Sequence, residues 1–348
     1  MTLTRSIVLT AAARFPVADG TAPRLQRITD YPALLAEAWG QHLAPRDASA
    51  PTVISTFAGC GGSSLGYSMA GFRELLAVEW EQNAADTFRL NFPHVPLYHG
   101  DIAKLSVEEC LRLAGVAPGE LDVFDGSPPC QGFSIAGKRE IGDQRNQLFR
   151  EFVRLLTGLR PRAFVMENVS GMVKGDFKLI FAEILRTLKA CGYRVRVRLL
   201  NAMWFGVPQS RERMIFIGVR DDLGVEPSHP SGWCEPATAA SVHPDFAEIL
   251  RGSSRDNWCG ANTVFPTITK AAGTTSRTGY MSGGHFVRTR DGVERRPTLE
   301  EFQALGSFPP PFAFVGTRVD GVDRIGNSVP PLLMRSIARH VRTLVARG

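Results

Sequence analysis

Cys130 sits in the run Asp125-Gly126-Ser127-Pro128-Pro129-Cys130-Gln131-Gly132, a loop stiffened by two adjacent prolines. A thiolate is a strong nucleophile, but a free thiol titrates at about 8.5 and stays mostly protonated at neutral pH unless a cation stands nearby. A lone cysteine is more often a small buried hydrophobe, so its surroundings must decide. Glu167, in Glu167-Asn168-Val169, supplies a carboxyl. Beside a thiolate it would complete an acid and nucleophile pair; elsewhere it would cap a helix or join an ion pair. A second group is the glycine cluster Phe57-Ala58-Gly59-Cys60-Gly61-Gly62-Ser63. Glycines let a ligand approach the backbone closely, and the helix start that follows can hold an anionic group. Glu79 comes about 20 residues after Gly59, the interval at which an acid reaches ribose hydroxyls, and Asp101 adds a further acceptor. This combination fits a nucleoside cofactor, NAD and S-adenosylmethionine alike.

The elements that must position these groups are legible from the spacing of apolar residues. Short apolar or β-branched runs at 52–57, 75–79, 96–100, 121–125 and 163–167 each end in Gly, Asp, Glu or Asn. Helical patterns at 81–91, 106–114, 144–157 and 177–190 lie between them. Alternating strands and helices predict parallel strands with right-handed crossovers, hence an α/β doubly wound sheet. The strand ends then share one edge facing the ligand crevice, and the candidate residues gather there. Arg194, Arg196 and Arg198 alternate with Val195, Val197 and Leu199, the pattern of a strand exposed on one face, and 214–219 reads as another strand. At about 222 the character changes. Residues 222–297 are rich in Gly, Pro, Ser and Thr, with isolated aromatics (Trp233, Trp258, Phe265, Tyr280, Phe286), and predict a small loop-rich unit. Regular structure resumes at 298 and closes on an amphipathic helix over 333–345 carrying Arg335, Arg339 and Arg342. Residues 1–50 form an extension with one helix: Asp30 is its N-cap, Pro32 stands in the first turn, and Leu34, Leu35, Ala38, Trp39 and Leu43 make its apolar face. There are no internal repeats.

Composition narrows the function classes. Of 348 residues, 44% are hydrophobic and 21% charged, which excludes a disordered or collagen-like chain. No window approaches the roughly 18 consecutive apolar residues of a spanning helix. A net charge of +6 and a pI near 9.2 are compatible with a polyanionic partner. Arginine supplies 34 of the 40 basic residues, however, a skew that a GC-rich genome explains as readily as a ligand does. The six cysteines (60, 110, 130, 191, 234, 259) include no C-x-x-C pair, so no metal site is predicted and the thiols read as reduced and cytoplasmic. The first residues lack a basic region and a cleavage site, so no signal peptide is expected.

Taken in order, FAGCGG (57–62), the acid at Glu79, GSPPCQGFS (126–134), MENV (166–169), VPQSRER (207–213) and RIGNSVPP (324–331) make the chain similar to the DNA (cytosine-5) methyltransferases. The resemblance covers about 51–221 and 298–348. It implies a doubly wound S-adenosylmethionine-dependent methyltransferase sheet, with 222–297 as a target-recognition domain whose lead-in is PTIT (266–269). Cys130 would attack C6 of cytosine, Glu167 would engage N3 and the exocyclic amine, and Arg213 with Arg211 would support the base and the activated intermediate. Phe57, Ala58, Gly59, Cys60, Gly61, Gly62, Glu79, Trp80, Asp101, Ile102, Pro129, Asn327 and Ser328 would line the S-adenosyl-L-methionine site. Gln131, Ser134 and Arg145 would meet DNA. The implied partner is double-stranded DNA, met by a monomer in the cytoplasm at the nucleoid, with a cognate restriction endonuclease acting separately. The chain departs from the family at Glu300, where an Arg is usual, and at Ala304, where a second is common.

The chemistry asks for these residue types. C5 of cytosine is a poor nucleophile until a thiolate adds at C6 and N3 takes a proton, which pushes electron density onto C5. Either Arg211 or Arg213 nearby would favour the thiolate. The ring atoms are inaccessible in a duplex, so the base must flip out, costing about a few kcal/mol. Loop-borne Arg, Thr and Ser in 222–297 would read base edges. Two alternatives stand beside this reading. The tRNA-acting branch of the same family typically shows PPCQPFT and a CFT tripeptide; here Gly132 and Ser134 replace Pro and Thr, and CFT is absent. A catalytically silent DNA- or cofactor-binding protein is opposed by the joint presence of Cys130, Glu167 and Arg213.

Overall fold

A computed structural model describes residues 25–129, 144–169, 177–250, 257–273 and 285–346. The elements begin with α1 (Tyr31–Leu43), β1 (Thr52–Thr56), α2 (Gly62–Met69), β2 (Arg73–Glu79), α3 (Gln82–Asn91) and β3 (Leu97–His99). Next come α4 (Val107–Ala114), β4 (Val123–Gly126), α5 (Gln144–Leu159), β5 (Ala163–Val169), α6 (Phe177–Ala190), β6 (Tyr193–Asn201) and β7 (Glu212–Arg220). The remainder holds α7 (Ala239–Val242), β8 (Phe246–Leu250), β9 (Trp258–Gly260), β10 (Val287–Thr289) and β11 (Glu294–Arg295), then α8 (Leu299–Leu305), α9 (Arg318–Asn327) and α10 (Pro331–Leu344).

Seven strands form one sheet in the order β3-β2-β1-β4-β5-β7-β6. The first five are parallel, as alternation with helices predicts. β1 and β4 are buried on both faces, which is why they read as unbroken apolar runs. An all-parallel sheet is corrected at β7, which runs antiparallel to both β5 and β6. Parallel strands need a crossover of about a dozen residues, usually a helix. Only the link 202–211, with a single short helical turn at Ala202–Phe205, separates β6 from β7. The chain therefore doubles back and inserts β7 beside β5. On edge strand β6, Tyr193 and Val195 are buried while Arg194 and Arg196 are exposed, as their alternation implies.

One apolar cluster, around Phe124, Phe152, Phe164 and Leu188, packs the helices α4 to α6 on the sheet. The other joins α2 and α10 to the opposite face and runs on through Phe246, Phe265, Val287 and Phe302. The region 222–297 thus holds more order than its composition suggests: β11-β10-β8-β9 make a four-stranded antiparallel sheet. Its strands are too short to display a period. α1 forms where predicted, with Asp30 accepting from the Ala33 amide at 2.9 Å and Tyr31, Leu35 and Ala38 buried. Leu34 and Trp39 are partly buried, but Leu43, at the last residue of the helix, is exposed and leaves the expected apolar face. Its Tyr31 hydroxyl donates to the Ala304 carbonyl at 3.1 Å, and Gln26 pairs with Cys234. Among the described residues no helix is long and apolar enough to cross a membrane.

Candidate active site

The glycine cluster turns sharply off β1. Phe57, Gly59 and Gly61 all have positive φ (55°, 58° and 99°). For Phe57, which bears a Cβ, that conformation costs about 1–2 kcal/mol. Glu79, at the end of β2, holds this turn: its Oε2 accepts from the Gly59 amide at 2.7 Å, and its Oε1 accepts from the Trp80 and Glu81 amides at 2.9 and 2.8 Å. Trp80 is 72% exposed. Asp101 follows β3 and accepts from the Ala103 amide at 2.9 Å, beside buried Ile102. α9 closes the same side. Gly62 must be glycine because a Cβ would lie 2.6 Å from the Val329 carbonyl oxygen. Ser328 donates to the Arg324 carbonyl at 2.7 Å and stands 3.2 Å from Cys60 Sγ; Asn327 beside it is exposed. Burial pushes the Cys60 thiol up to about 11, so its side chain packs as a neutral group while Ala58, Gly59 and Gly61 shape the turn.

The second half of the site lies at the ends of β4 and β5. Asn168 donates to the Pro128 carbonyl at 3.0 Å, tying the Glu167-Asn168-Val169 segment to the proline loop. Pro129, at that loop's last described position, is exposed. Glu167 meets Arg213 Nε at 2.6 Å. That contact exists because β7 is reversed: Val169 pairs with Arg213 and Glu167 with Ile215, so the beginning of β7 adjoins the end of β5. Cys130, Gln131 and Ser134 lie outside the described residues, as does the side chain of Arg145 in α5.

Arg211, which the resemblance implies supports the base, is enclosed by main chain. It is 2% exposed, and its guanidinium donates to three backbone carbonyls: Ile268 at 2.8 Å, Gly326 at 2.8 Å and Ser328 at 2.9 Å. Burial, with Arg213 nearby and Glu167 opposing, lowers it to about 9, still charged at neutral pH. Several residues joined to the site were given no role by the sequence, though Gln209 and Asp125 lie inside its quoted motifs. Gln209 is buried and accepts from the Ile268 amide at 3.0 Å. Tyr67 donates to Asp125 Oδ1 at 3.1 Å, and the buried Asp125 carboxyl is held well above the usual range, by desolvation first, with Glu74 and Glu167 adding to it. A Tyr in a short glycine-rich helix and a Glu at a strand start look like ordinary surface residues until the sheet covers them.

In the small sheet, described arginines are already engaged. Arg288 lies 4.2 Å over the Trp258 ring and pairs with Glu248, and Arg295 pairs with Glu301 at 2.7 Å. Glu300 is exposed in the first turn of α8, where the helix dipole favours an acid over the Arg usual in the family.

A family model described as C-5 cytosine-specific DNA methylase matches residues 51–248 and 237–343. The Type II methyltransferase M1.HphI of Haemophilus parahaemolyticus is 35% identical over 328 residues, covering 83% of this chain and 86% of that protein. M.NgoPII of Neisseria gonorrhoeae, also a Type II methyltransferase, is 31% identical over 348 residues, covering 88% of this chain and all of that one. In fold, the chain is similar to the crystal structure of a Spodoptera frugiperda DNMT2 mutant, with a TM-score of 0.64 at 19% identity over 84% of this chain and 99% of that one. The S. pombe Dnmt2 methyltransferase gives 0.61 at 18% identity over 85% and 98%. With the ordered motifs converging on one edge of the sheet and the family match spanning both halves of the chain, the protein belongs to the C-5 cytosine-specific DNA methylase family.

Proposed function

We propose that this DNA cytosine-5 methyltransferase takes its methyl group from S-adenosylmethionine and acts on a cytosine flipped out of a short specific duplex site. The observation that carries the reading is the paired contact at the ends of β4 and β5: Asn168 holds the proline loop leading to Cys130, while Arg213 holds Glu167. The loop that precedes Cys130 is thereby tied to the strand end that carries Glu167, which supports a reading in which the two act together.

The other strand ends fit the cofactor. The Cβ side of Gly59 is open space, Trp80 offers a bare indole face, and Glu79 and Asp101 supply acceptors. When bound, S-adenosylmethionine would supply an electrophilic methyl group. Phe57 to Gly62, Trp80, Ile102, Pro129, Asn327 and Ser328 would line its site. Cys130 would add through its thiolate to C6, and Glu167 would hold a proton at N3, drawing electron density from the ring and opening C6 to attack. The Arg213 contact keeps the Glu167 carboxyl aimed. Once C5 carries the methyl group, a base would take the C5 proton, and the freed electron pair would restore the C5–C6 double bond and expel the thiolate. Gln131, Ser134 and Arg145 would meet the DNA, and 222–297 would choose the sequence. The enzyme would act as a monomer in the cytoplasm, at the nucleoid, beside a separate restriction endonuclease of the same specificity.

Fluorine at C5 cannot depart as a cation, so duplex carrying 5-fluorocytosine at the target should trap the enzyme. The expected result is a denaturant-stable adduct that requires S-adenosylmethionine and disappears in Cys130→Ser. An undiminished adduct in that variant would overturn the nucleophile. Methylation-resolved sequencing of DNA and RNA from cells expressing the chain gives the target, and modification of tRNA alone would move the activity to the RNA branch.

A further inference from the structure

Arg211 and Arg213 belong to one motif and stand two residues apart, yet only one of them meets a carboxylate. Arg213 meets Glu167 at 2.6 Å and also donates to the adjacent Glu212 carbonyl at 2.7 Å. Arg211 meets only main chain among the described residues, and that main chain comes from two distant places. One is Ile268, between β9 and β10 of the small sheet and so not in a lead-in to it as PTIT suggested; the other is Gly326 with Ser328 at the end of α9. The contact is built from several directions. Gln209 accepts from the Ile268 amide at 3.0 Å, and the Ser210 amide donates to the Phe265 carbonyl at 2.8 Å. Gly326 packs against the same segment so closely that a Cβ would lie 2.5 Å from the Thr269 carbonyl oxygen and 2.7 Å from the Lys270 nitrogen. Residues 208–211, 265–269 and 326–328 are therefore one joint, and the Arg211 guanidinium is its centre.

We propose that Arg211 is a positioning residue that couples the recognition region to the cofactor side of the site, and that it does not touch the base. This rests on the reading above, in which 327–328 border the cofactor and 222–297 choose the sequence. A guanidinium suits the task because its planar fork reaches several carbonyls at once, which a lysine ammonium matches only in part. Releasing it leaves three carbonyls unpaired in a buried place and frees the two flanking segments to shift independently. Arg213, two residues on, should then keep its partner but lose its alignment with both neighbours.

The test uses the full chain, with the target site taken from sequencing of wild-type products. Arg211→Met should raise the S-adenosylmethionine Kd by calorimetry about tenfold or more, and lower discrimination between cognate and one-base-changed duplexes by a similar factor. Arg211→Lys should fall between this variant and wild type. Gly326→Ala attacks the joint from its other side and should change the same two quantities together. It also keeps the test alive if Arg211→Met does not fold. A general loss of stability would lower the active fraction and leave both ratios in the folded molecules untouched. Arg213→Lys is the contrast, losing kcat while cofactor Kd and discrimination hold. If Arg211→Lys instead stays folded with wild-type Kd and discrimination and loses only kcat, Arg211 acts at the base and the proposal is wrong. Should wild type bind S-adenosylmethionine but methylate no duplex, the functional reading fails, and the joint still stands or falls on cofactor Kd in the two Arg211 variants and Gly326→Ala.

Discussion

At the ends of β5 and β7, Arg213 and Glu167 meet at 2.6 Å with only 14% and 11% of their side chains exposed. Beside the small sheet, Arg295 and Asp245 meet at 3.3 Å with 32% and 54% exposed. Arg288 and Glu248 are similar, at 35% and 37%. The same chemical pair does different work in the two regions. Removing one member of a desolvated pair strands a charge and costs about 3–5 kcal/mol, whereas an exposed pair contributes about 0.2–1 kcal/mol. The seven-stranded sheet holds its charged groups in fixed directions, as chemistry at a single ring atom demands. The small sheet carries charges that can be exchanged at little expense to the fold, as its proposed role in choosing a DNA sequence would require.

The sharpest way to break this contrast is at Glu167. Glu167→Ala should lower stability by about 3–5 kcal/mol by stranding Arg213, and kcat should fall about 10²- to 10⁴-fold with the loss of proton handling. Glu167→Gln should recover much of the stability while keeping most of the kcat defect. A melting temperature for Glu167→Ala within about 2 °C of wild type would mean the pair is no more coupled than a surface one.

A middle effect is expected at Glu79, whose carboxylate accepts three amides at the glycine turn. Glu79→Ala would loosen that turn and remove the charged acceptor proposed for the ribose hydroxyls, and losing the latter bonds should weaken S-adenosylmethionine binding by about 1.5–3 kcal/mol, roughly tenfold to 150-fold in Kd. Calorimetry decides it, and an unchanged Kd would remove Glu79 from the site.

Glu74 sharpens the comparison differently, being a buried carboxyl with no ion pair among the described residues. Its Oε1 accepts from the Ser64 hydroxyl at 2.8 Å, its Oε2 has no partner, and burial raises it to about 7. The folded chain therefore keeps a proton that the unfolded chain releases at its ordinary value of 4.5. Its contribution to stability is full below about 4.5 and is lost as pH climbs to about 7. Glu74→Gln should flatten the fall in melting temperature between about pH 5 and 7. If both proteins lose stability in parallel over that range, the carboxyl is ionised in the fold and the assignment fails.

The smallest effect belongs to Arg288. Arg288→Ala removes two partly exposed pairs, with Glu248 and Glu294, and a contact with Trp258, and should change stability by no more than about 1 kcal/mol, with cofactor Kd unaltered. A loss several times larger would place the small sheet's charges in the same class as Glu167.

What was legible in the sequence was whatever depends on near neighbours. Five strand and helix alternations followed from runs and periods, Asp30 announced the start of α1, and glycines with acids at strand ends marked one edge of the sheet. The strands of the small sheet were not legible, since two to five residues show no period and their pairing is made by partners far along the chain. The direction of β7 was also beyond local reading. Its residues suit a strand either way, and only the length of the 202–211 link and the vacancy beside β5 settle the choice. Had β7 run parallel, Arg213 would stand at the opposite edge from Glu167. Arg211 and Arg213 make the same point at the level of single side chains. The resemblance carried by VPQSRER implied that Arg213, and with it Arg211, would support the base and the activated intermediate, but the sequence could not say what each would touch. Tertiary structure separated them, because a guanidinium's role depends on which acceptors surround it. For Arg213 the acceptor is the Glu167 carboxylate, set opposite by strand pairing. For Arg211 it is a ring of main-chain carbonyls from residues 268, 326 and 328, brought there by segments that share no local signal with it.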